Sequence, residues 1–192
     1  MIHQIKKKNP DFIFISDTRI SKSIESAIRE EWGGRCVFNS FSSQARGVAI
    51  FLKKDNPAKI VDKFCDENGN LLAIGIIYEE KKILLECLYG PNQDSPEFYT
   101  DLAFRKINDW SPDFSIFAGD FNVVLDPSID TKNYQQINNP NAMRALKDQI
   151  QQNNLIDIWR ELHPDQRTFT WQKYNGNKQS RLDYFLPLSY LL

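Results

Sequence analysis

The stretch that decides the fold is Ile116-Phe-Ala-Gly-Asp-Phe-Asn122. A short run of apolar and small residues that ends at a glycine is typical of a buried β-strand that stops abruptly. Side chains at positions i and i+2 of an extended segment point to the same side. We therefore predict that Asp120 and Asn122 project together from the strand end, with Phe121 turned into the core. The alternative is a simple turn, since Asp and Asn after a strand commonly bond their own backbone.

The composition is that of an ordinary globular protein. Of the 192 residues, 41% are hydrophobic and 26% are charged, and the net charge is −1. A chain of this length can form one sizeable core, so we expect a single domain over residues 1–192. The balanced charge provides no overall basic field, so any nucleic-acid binding must depend on local patches. Because no apolar run reaches the ~20 residues that span a bilayer, we expect no membrane association.

The cysteines also limit the possible sites. Cys36, Cys65 and Cys87 are odd in number and widely spaced, with no C-x-x-C pair. This pattern indicates neither a zinc site nor a disulfide framework, and it is typical of a reducing compartment.

Strand-length runs and helix-period segments alternate along the chain. The patterns predict a buried strand over 11–16, a helix over 21–32, a β-rich middle over 37–89 with hairpin loops at 66–70 and 79–82, a helix from 95 to about 110, a polar loop over 126–139, a helix from 140, a short helical turn near 155–162, and final strands over 168–171 and 182–186. This mixed order with many hairpins predicts an α+β sandwich in which helices cover stacked sheets.

Polar side chains occur at the ends of four predicted strands. They are Asp17, Tyr89 with Asn92, Asp120 with Asn122, and Asp183. Polar groups collected at the ends of core strands are a usual way for a rigid sheet to present an active site. Carboxylate and amide oxygens without paired His or Cys suit a hard cation such as Mg²⁺. Such a set favours phosphodiester chemistry, in which the metal polarises a phosphate oxygen and a carboxylate orients water.

Several motifs in this order resemble the endonuclease/exonuclease/phosphatase superfamily, which includes DNase I and the abasic-site endonucleases. They are Asp17 after an apolar strand, Tyr89-Gly-Pro-Asn92, Gly119-Asp-Phe-Asn122 and Ser180-Arg-Leu-Asp-Tyr184. Further segments are similar to the endonuclease domain of LINE-type (non-LTR) retrotransposons: Ser16-Asp-Thr-Arg19, Arg46-Gly-Val-Ala-Ile50, Leu155-Ile-Asp-Ile-Trp-Arg160 and Thr170-Trp171. The resemblance covers nearly the whole chain.

The resemblance implies a fold, an activity and partners. The fold is a four-layer α/β sandwich with two packed, mainly antiparallel β-sheets flanked by helices. The activity is hydrolysis of phosphodiester bonds by a DNA-nicking endonuclease that uses Mg²⁺ or Mn²⁺. The expected partners are DNA and a reverse transcriptase fused in the intact element, and the expected location is intracellular and nuclear.

The resemblance also assigns roles to individual residues. Asp120 orients or activates the attacking water, Asn122 holds the transition-state phosphate, and Tyr89 lies beside the scissile phosphate. Asp183 orients a catalytic histidine through the ring N–H. Asp17 falls where the family has its metal-binding acid, usually Glu, and is one methylene shorter. The resemblance also assigns five residues, through less specific matches, to a DNA-facing rim: Arg46, Asn92, Thr170, Ser180 and Arg181.

The chain departs from the family pattern at both ends. Family members open with a strand that bears a metal-site Asn and close with a Ser-Asp-His segment, and neither is present here. We therefore expect a domain that is incomplete at both termini, with impaired catalysis, because loss of an acid–base group typically costs ~10²–10⁴-fold in rate. The alternatives are a non-catalytic fragment that binds nucleic acid weakly, or an enzyme of the same fold that acts on lipid head groups.

Overall fold

The computed structural model describes residues 2–188, with side chains from residue 5 onward. Within this range the strands are β1 (Phe12–Ile15), β2 (Arg35–Asn39), β3 (Val48–Leu52), β4 (Lys59–Cys65), β5 (Leu71–Tyr78), β6 (Lys81–Tyr89), β7 (Phe114–Asp120), β8 (Thr131–Lys132), β9 (Trp171–Gln172), β10 (Gln179–Ser180) and β11 (Asp183–Pro187). The α-helices are α1 (Ile2–Lys8), α2 (Glu25–Trp32), α3 (Arg105–Trp110), α4 (Pro127–Asp130), α5 (Pro140–Gln152) and α6 (Ile158–Leu162).

The strands form two main sheets and one small one. The first sheet has the order β1-β3-β2 and the second the order β11-β7-β6-β5-β4, while β8-β10-β9 forms a small separate sheet. All pairings are antiparallel except that of β6 with β7, which is parallel.

Apolar side chains between the layers hold this arrangement together. On β3, Val48, Ile50 and Leu52 pack against β5 between the two main sheets, whereas Ala49 and Phe51 face the helical layer that contains α2. A third cluster fills the space between the second sheet and α5. A strand that is buried on both faces is apolar at every position, which explains the continuous runs in the sequence. The predicted α+β fold with helices flanking two packed sheets is confirmed.

Both predicted hairpin loops join antiparallel neighbours of the second sheet. The β4–β5 loop contains Asp66, whose Oδ1 accepts hydrogen bonds from the N–H groups of Asn70 and Leu71 at 2.8 Å. The β5–β6 turn consists of Glu79 and Glu80, both with left-handed backbones. Two left-handed residues give the type I′ turn, whose twist matches that of a hairpin.

The prediction of one continuous helix from residue 95 to about 110 is wrong, because the structure interrupts it. A π-turn over Phe98–Leu102 is separated from α3 by Phe104, whose φ is 67°. Phe104 is 2% exposed, and its N–H points at Oε1 of Glu86, a fully buried carboxyl on β6, at 3.4 Å. Burial raises the pKa of Glu86 to about 8. Core packing of Phe104 and the buried carboxyl therefore override the helical period.

The loop predicted over 126–139 contains short elements. Asp126 accepts a hydrogen bond from the N–H of Ser128 at 3.0 Å and begins α4, with Pro127 at the first helical position. β8 follows directly and pairs with β10. None of the helices in the described part of the chain combines the length and apolar character needed to cross a bilayer.

Candidate active site

Tyr89, Asp120 and Asp183 lie side by side at the ends of three neighbouring strands of the second sheet. Tyr89 at the end of β6 pairs in register with Asp120 at the end of the parallel strand β7. Asp183, the first residue of the antiparallel strand β11, pairs with Asp120 from the other side. Because neighbouring strands lie about 4.8 Å apart, this register places the three residues side by side.

Asp120 and Asn122 are joined by a turn rather than by strand alternation. β7 ends at Asp120, and Asn122 has a left-handed φ of 50°. The N–H of Asn122 donates to Oδ1 of Asp120 at 2.8 Å, which is the bond that Asp commonly makes after a strand. Phe121 is fully buried, as predicted. The extended pair expected from the sequence is therefore wrong, because the Asp120 carboxylate captures the second N–H beyond it.

The Asp120 carboxyl lies among like charges. Burial, with the neighbouring carboxylates Asp183 and Asp17, raises the pKa of Asp120 to about 6, against the lowering effect of the hydrogen bond from Asn122. Among the described residues, neither Asp120 nor Asp183 forms an ion pair. The negative charge at this edge of the sheet is therefore largely uncompensated by the protein.

Asp17 lies shortly after β1, in the neighbouring sheet. Its charge contributes, after burial and Asp183, to raising the pKa of Asp120. Its Oδ1 accepts a hydrogen bond from the backbone N–H of Arg46 at 2.9 Å. Its Oδ2 accepts bonds from Nη2 and Nε of Arg19 at 2.7 and 3.0 Å. Both carboxylate oxygens of Asp17 are thus engaged by the protein.

Neutral hydrogen bonds fix the loops that carry Asn122 and Asn92. Nδ2 of Asn122 donates to the carbonyl of Gly90 at 2.7 Å, and the N–H of Gly90 donates to the carbonyl of Asp120 at 2.7 Å. The Nδ2 of Asn139 donates to the carbonyls of Asn122 and Asn92 at 3.1 and 3.3 Å. The turn after β7 and the turn after β6 are consequently held against each other.

Thr170 supports the start of β11. Its Oγ1 accepts hydrogen bonds from the N–H groups of Leu182 and Asp183 at 3.0 and 3.1 Å. Its own N–H donates to the carbonyl of Ser180 at 3.0 Å. Thr170 is exposed and lies beside Asp183, where its hydroxyl orders the start of the strand.

The structure places two of the predicted rim residues in the interior. Ser180 is 1% exposed and Arg181 is 2% exposed. Nε and Nη2 of Arg181 donate to the two carboxylate oxygens of Asp130 at 2.8 and 2.9 Å, and Nη1 donates to Oδ1 of Asp157 at 3.0 Å. The assignment of Arg181 to a DNA-facing rim is corrected, because its charge is already satisfied by the buried Asp130 and the half-buried Asp157. Ser180 likewise lies inside, with its hydroxyl 3.3 Å from that of Tyr134.

The other predicted rim residues line hollows on both sides of the carboxylates. Arg46, Tyr89 and Asn92 border an open cavity of about 500 Å³. Asn92 and Asn122 border a smaller one of about 190 Å³ that also contains Trp171. These hollows meet at the loop after β6, so they form a continuous polar surface beside the site.

A larger groove opens on the opposite side, between the edges of the two main sheets. It has a volume of about 820 Å³ and includes Ser16, Thr170 and Asp183 at the end nearest the carboxylates. Phe14 and Phe185 meet edge to face in the same region, with ring centroids 5.6 Å apart. Of the three carboxylates, Asp183 is the one that borders this groove.

Comparison with known proteins agrees with this geometry. Residues 1–187 match the Endonuclease/Exonuclease/phosphatase family. The chain belongs to this family. Among solved structures, an AP endonuclease from Archaeoglobus fulgidus is 22% identical with a TM-score of 0.78, over 100% of this chain and 81% of that one. The AP endonuclease LMAP from Leishmania major is 19% identical with a TM-score of 0.77, over 98% and 73% of the two chains.

A curated relative gives a second comparison. The transposon TX1 uncharacterized 149 kDa protein of Xenopus laevis is 24% identical over 183 residues, which are 93% of this chain. The chain spans only 14% of the length of that relative. The solved structures share the fold with this member of the Endonuclease/Exonuclease/phosphatase family, and the curated relative shows that similar sequence occurs within a much longer transposon protein.

The site of this family member fits a hard divalent cation by its chemistry. Asp17, Asp120 and Asp183 carry oxygen donors, and Asp120 and Asp183 have no ion pair within the described residues. Within the described residues no three acidic, histidine or cysteine side chains converge closely enough to enclose an ion. A hard divalent ion that binds through one or two carboxylates and retains several waters is compatible with such a donor set.

Three residues that shape the site were not predicted from the sequence. Arg19 pairs with Asp17, Asn139 joins two loops, and Asp130 neutralises Arg181. Arg19 was visible inside the quoted Ser16-Asp-Thr-Arg19 motif. Asn139 and Asp130 lie in a polar segment without periodicity, where nothing local distinguishes them.

Proposed function

We propose that this chain is a divalent-metal-dependent phosphodiesterase domain that nicks DNA, with Mg²⁺ or Mn²⁺ as its cofactor. The observation that carries the proposal is the register that places Tyr89, Asp120 and Asp183 side by side at the ends of three neighbouring strands, where neither Asp120 nor Asp183 forms an ion pair within the described residues. Carboxylates gathered in this way attract a divalent ion, and such an ion attracts a phosphate.

The side chains divide the chemistry among them. Asp17 is the proposed metal ligand, and a bound divalent ion supplies charge that polarises a phosphate oxygen. Asp120, whose pKa of about 6 lies near neutral pH, accepts a proton from water or orients it. Asn122 presents its amide, and Tyr89 its hydroxyl, toward the phosphate beside Asp120. Asp183, whose N–H donates to Thr170, is the proposed carboxylate that orients a catalytic histidine through the ring N–H.

DNA is the proposed substrate, and a retroelement is the proposed origin. The similarity to the TX1 transposon protein and the LINE-like motifs support this origin. Arg46, Asn92 and Thr170 are the proposed contacts to the DNA backbone, since all three border hollows that adjoin the carboxylates. A reverse transcriptase in the same polypeptide is the proposed partner.

The test is a nicking assay on supercoiled plasmid with the 192-residue chain, with Mg²⁺ and with EDTA. We expect weak nicking that depends on Mg²⁺, as the impaired catalysis expected from the sequence implies, and a further fall of ~10²–10⁴-fold in Asp120→Asn and in Asn122→Ala. Asp165→Asn, an exposed loop acid, is the matched control and should retain wild-type nicking. No Mg²⁺-dependent nicking by wild type, or nicking that survives both site substitutions, would overturn the proposal.

A further inference from the structure

The Arg19 side chain is hydrogen-bonded to Asp17, the proposed metal ligand. Its Nη2 and Nε both donate to Oδ2 of Asp17, at 2.7 and 3.0 Å. The other oxygen, Oδ1, accepts from the backbone N–H of Arg46 at 2.9 Å. A cation that binds Asp17 therefore competes with Arg19 for Oδ2, because the contact to Oδ1 belongs to the main chain.

The main chain around this pair is fixed, so only the Arg19 side chain can give way. Asp17 and Arg19 both have left-handed backbones, with φ values of 47° and 51°. The N–H of Thr18 donates to the carbonyl of Gly47 at 2.9 Å, and that of Arg19 donates to the carbonyl of Arg46 at 2.8 Å. The Arg19 side chain, by contrast, is 60% exposed. An ion pair this exposed is weak and is easily exchanged.

The exposed guanidinium of Arg19 is near the surface where the proposed DNA contacts lie. The backbone N–H of Arg46 and the side chain of Arg19 bond the same carboxylate of Asp17, and Arg46 and Tyr89 border one polar hollow. The planar guanidinium fork matches the geometry of phosphate oxygens and binds them through two parallel hydrogen bonds. The nearest phosphate in the proposed function is that of the bound DNA strand.

We propose that Arg19 is a metal-gated phosphate ligand, which holds Asp17 while no cation is bound and moves to a backbone phosphate of the substrate once a cation takes Oδ2. The inference rests on the proposed function, since it needs Asp17 as the metal ligand. In this role Arg19 weakens metal binding at Asp17 and strengthens DNA binding. A purely structural ion pair has neither property.

The first measurement is Mn²⁺ binding, followed by electron paramagnetic resonance of the free ion. Arg19→Ala should bind Mn²⁺ about two- to five-fold more tightly than wild type, which is the range for loss of one exposed ion pair. Asp17→Ala should lose the site. The matched control is Arg105→Ala, because Arg105 is 61% exposed and pairs with Asp109 on α3, away from the carboxylates. It should bind Mn²⁺ like wild type.

The second measurement is binding of a fluorescein-labelled DNA duplex, with Ca²⁺ present and with EDTA. With Ca²⁺, Arg19→Ala should bind the duplex more weakly, and the slope of log affinity against log salt should fall by about 1, as for loss of one phosphate contact. With EDTA, Arg19→Ala and wild type should bind alike. Arg105→Ala should follow wild type in both conditions.

The outcomes separate this inference from the proposed function. If wild type shows no saturable Mn²⁺ site, or if Asp17→Ala binds as wild type does, the proposed metal site is wrong. If Asp17→Ala loses Mn²⁺ but Arg19→Ala binds Mn²⁺ no more tightly, the site stands and the gating role is overturned. Equal loss of DNA affinity with Ca²⁺ and with EDTA also overturns it, because the contact would then not depend on the cation.

Discussion

Two groups of carboxylates have members next to the start of β11 and differ in how their charge is compensated. In the first group, Asp120 and Asp183 have no ion pair within the described residues, and Asp17 has one with an exposed arginine. In the second group, Asp130 and Asp157 share the buried guanidinium of Arg181, and Arg160 adds a contact to Asp130 at 2.6 Å. Arg181 and Asp183 are only two residues apart.

The difference separates a site from its support. Asp130 and Asp157 are matched by two guanidinium groups, so the second group is neutral in sum and joins the start of β11 to α4 and α6. The first group keeps a negative field at the sheet edge, and Asp120 resists ionisation. A field left uncompensated beside solvent is available to a cation or a substrate, whereas a balanced buried pair is available only to the fold.

The largest effect should follow from breaking the balanced group. Arg181→Met removes the shared guanidinium and leaves the carboxylates of Asp130, which is fully buried, and Asp157 with only the guanidinium of Arg160, which contacts Asp130. We expect the free energy of unfolding to fall by ~3–5 kcal/mol, as measured by urea denaturation at neutral pH.

The control for this change is Arg105→Met, which breaks an exposed pair with Asp109 and should cost ~1 kcal/mol or less. Adding Asp130→Asn to Arg181→Met should recover part of the loss, because it removes one of the two carboxylates that had shared Arg181. Similar losses in Arg181→Met and Arg105→Met would show that the buried group is not distinct from a surface pair.

The same contrast explains what could be read from the sequence. The buried strands were predictable because β3 and β5 are apolar at every position, and the hairpin loops were predictable from their polar turns. The residues of the first group were predictable because each lies at one end of an apolar strand: Asp17 shortly after β1, Asp120 at the end of β7 and Asp183 at the start of β11. Local pattern is sufficient for features that the local chain determines.

The fate of Arg181 could not be read in this way. Its partners Asp130 and Asp157 are 51 and 24 residues away in sequence, so an arginine beside a site residue looks like a substrate contact until the fold is known. The interruption before α3 has the same origin, because Glu86 and Phe104 meet only through packing. Buried polar partners that are distant in sequence leave no periodic signal.

The second prediction concerns the unbalanced group. The pKa of Asp120 is about 6 in the folded chain and about 3.9 in an unfolded one. Below about pH 4 both forms are protonated. As the pH rises to about 6 the unfolded chain ionises first, so the wild type loses stability, and above that the loss is constant. Asp120→Asn avoids this loss and should be more stable by ~1–3 kcal/mol at pH 8, with the gain fading toward pH 4.

Thermal melts of wild type and Asp120→Asn between pH 4 and pH 8 test this dependence. Asp165→Asn removes an exposed carboxylate and should show no such change with pH. A gain for Asp120→Asn that is as large at pH 4 as at pH 8 would mean that the carboxyl is not strained by its neighbours.

The smallest effect should come from the neutral bonds that hold the site loops. Asn139 joins the carbonyls of Asn122 and Asn92 and has a left-handed φ of 53°. Asn139→Ala removes the bonds and places a residue in a backbone region that it tolerates poorly, so we expect a loss of ~1–2 kcal/mol in the free energy of unfolding. Asn139→Gly removes the same bonds but accepts the backbone, so it should lose less. If urea denaturation gives the reverse order, the left-handed backbone of residue 139 is not the reason why Asn139→Ala is destabilising.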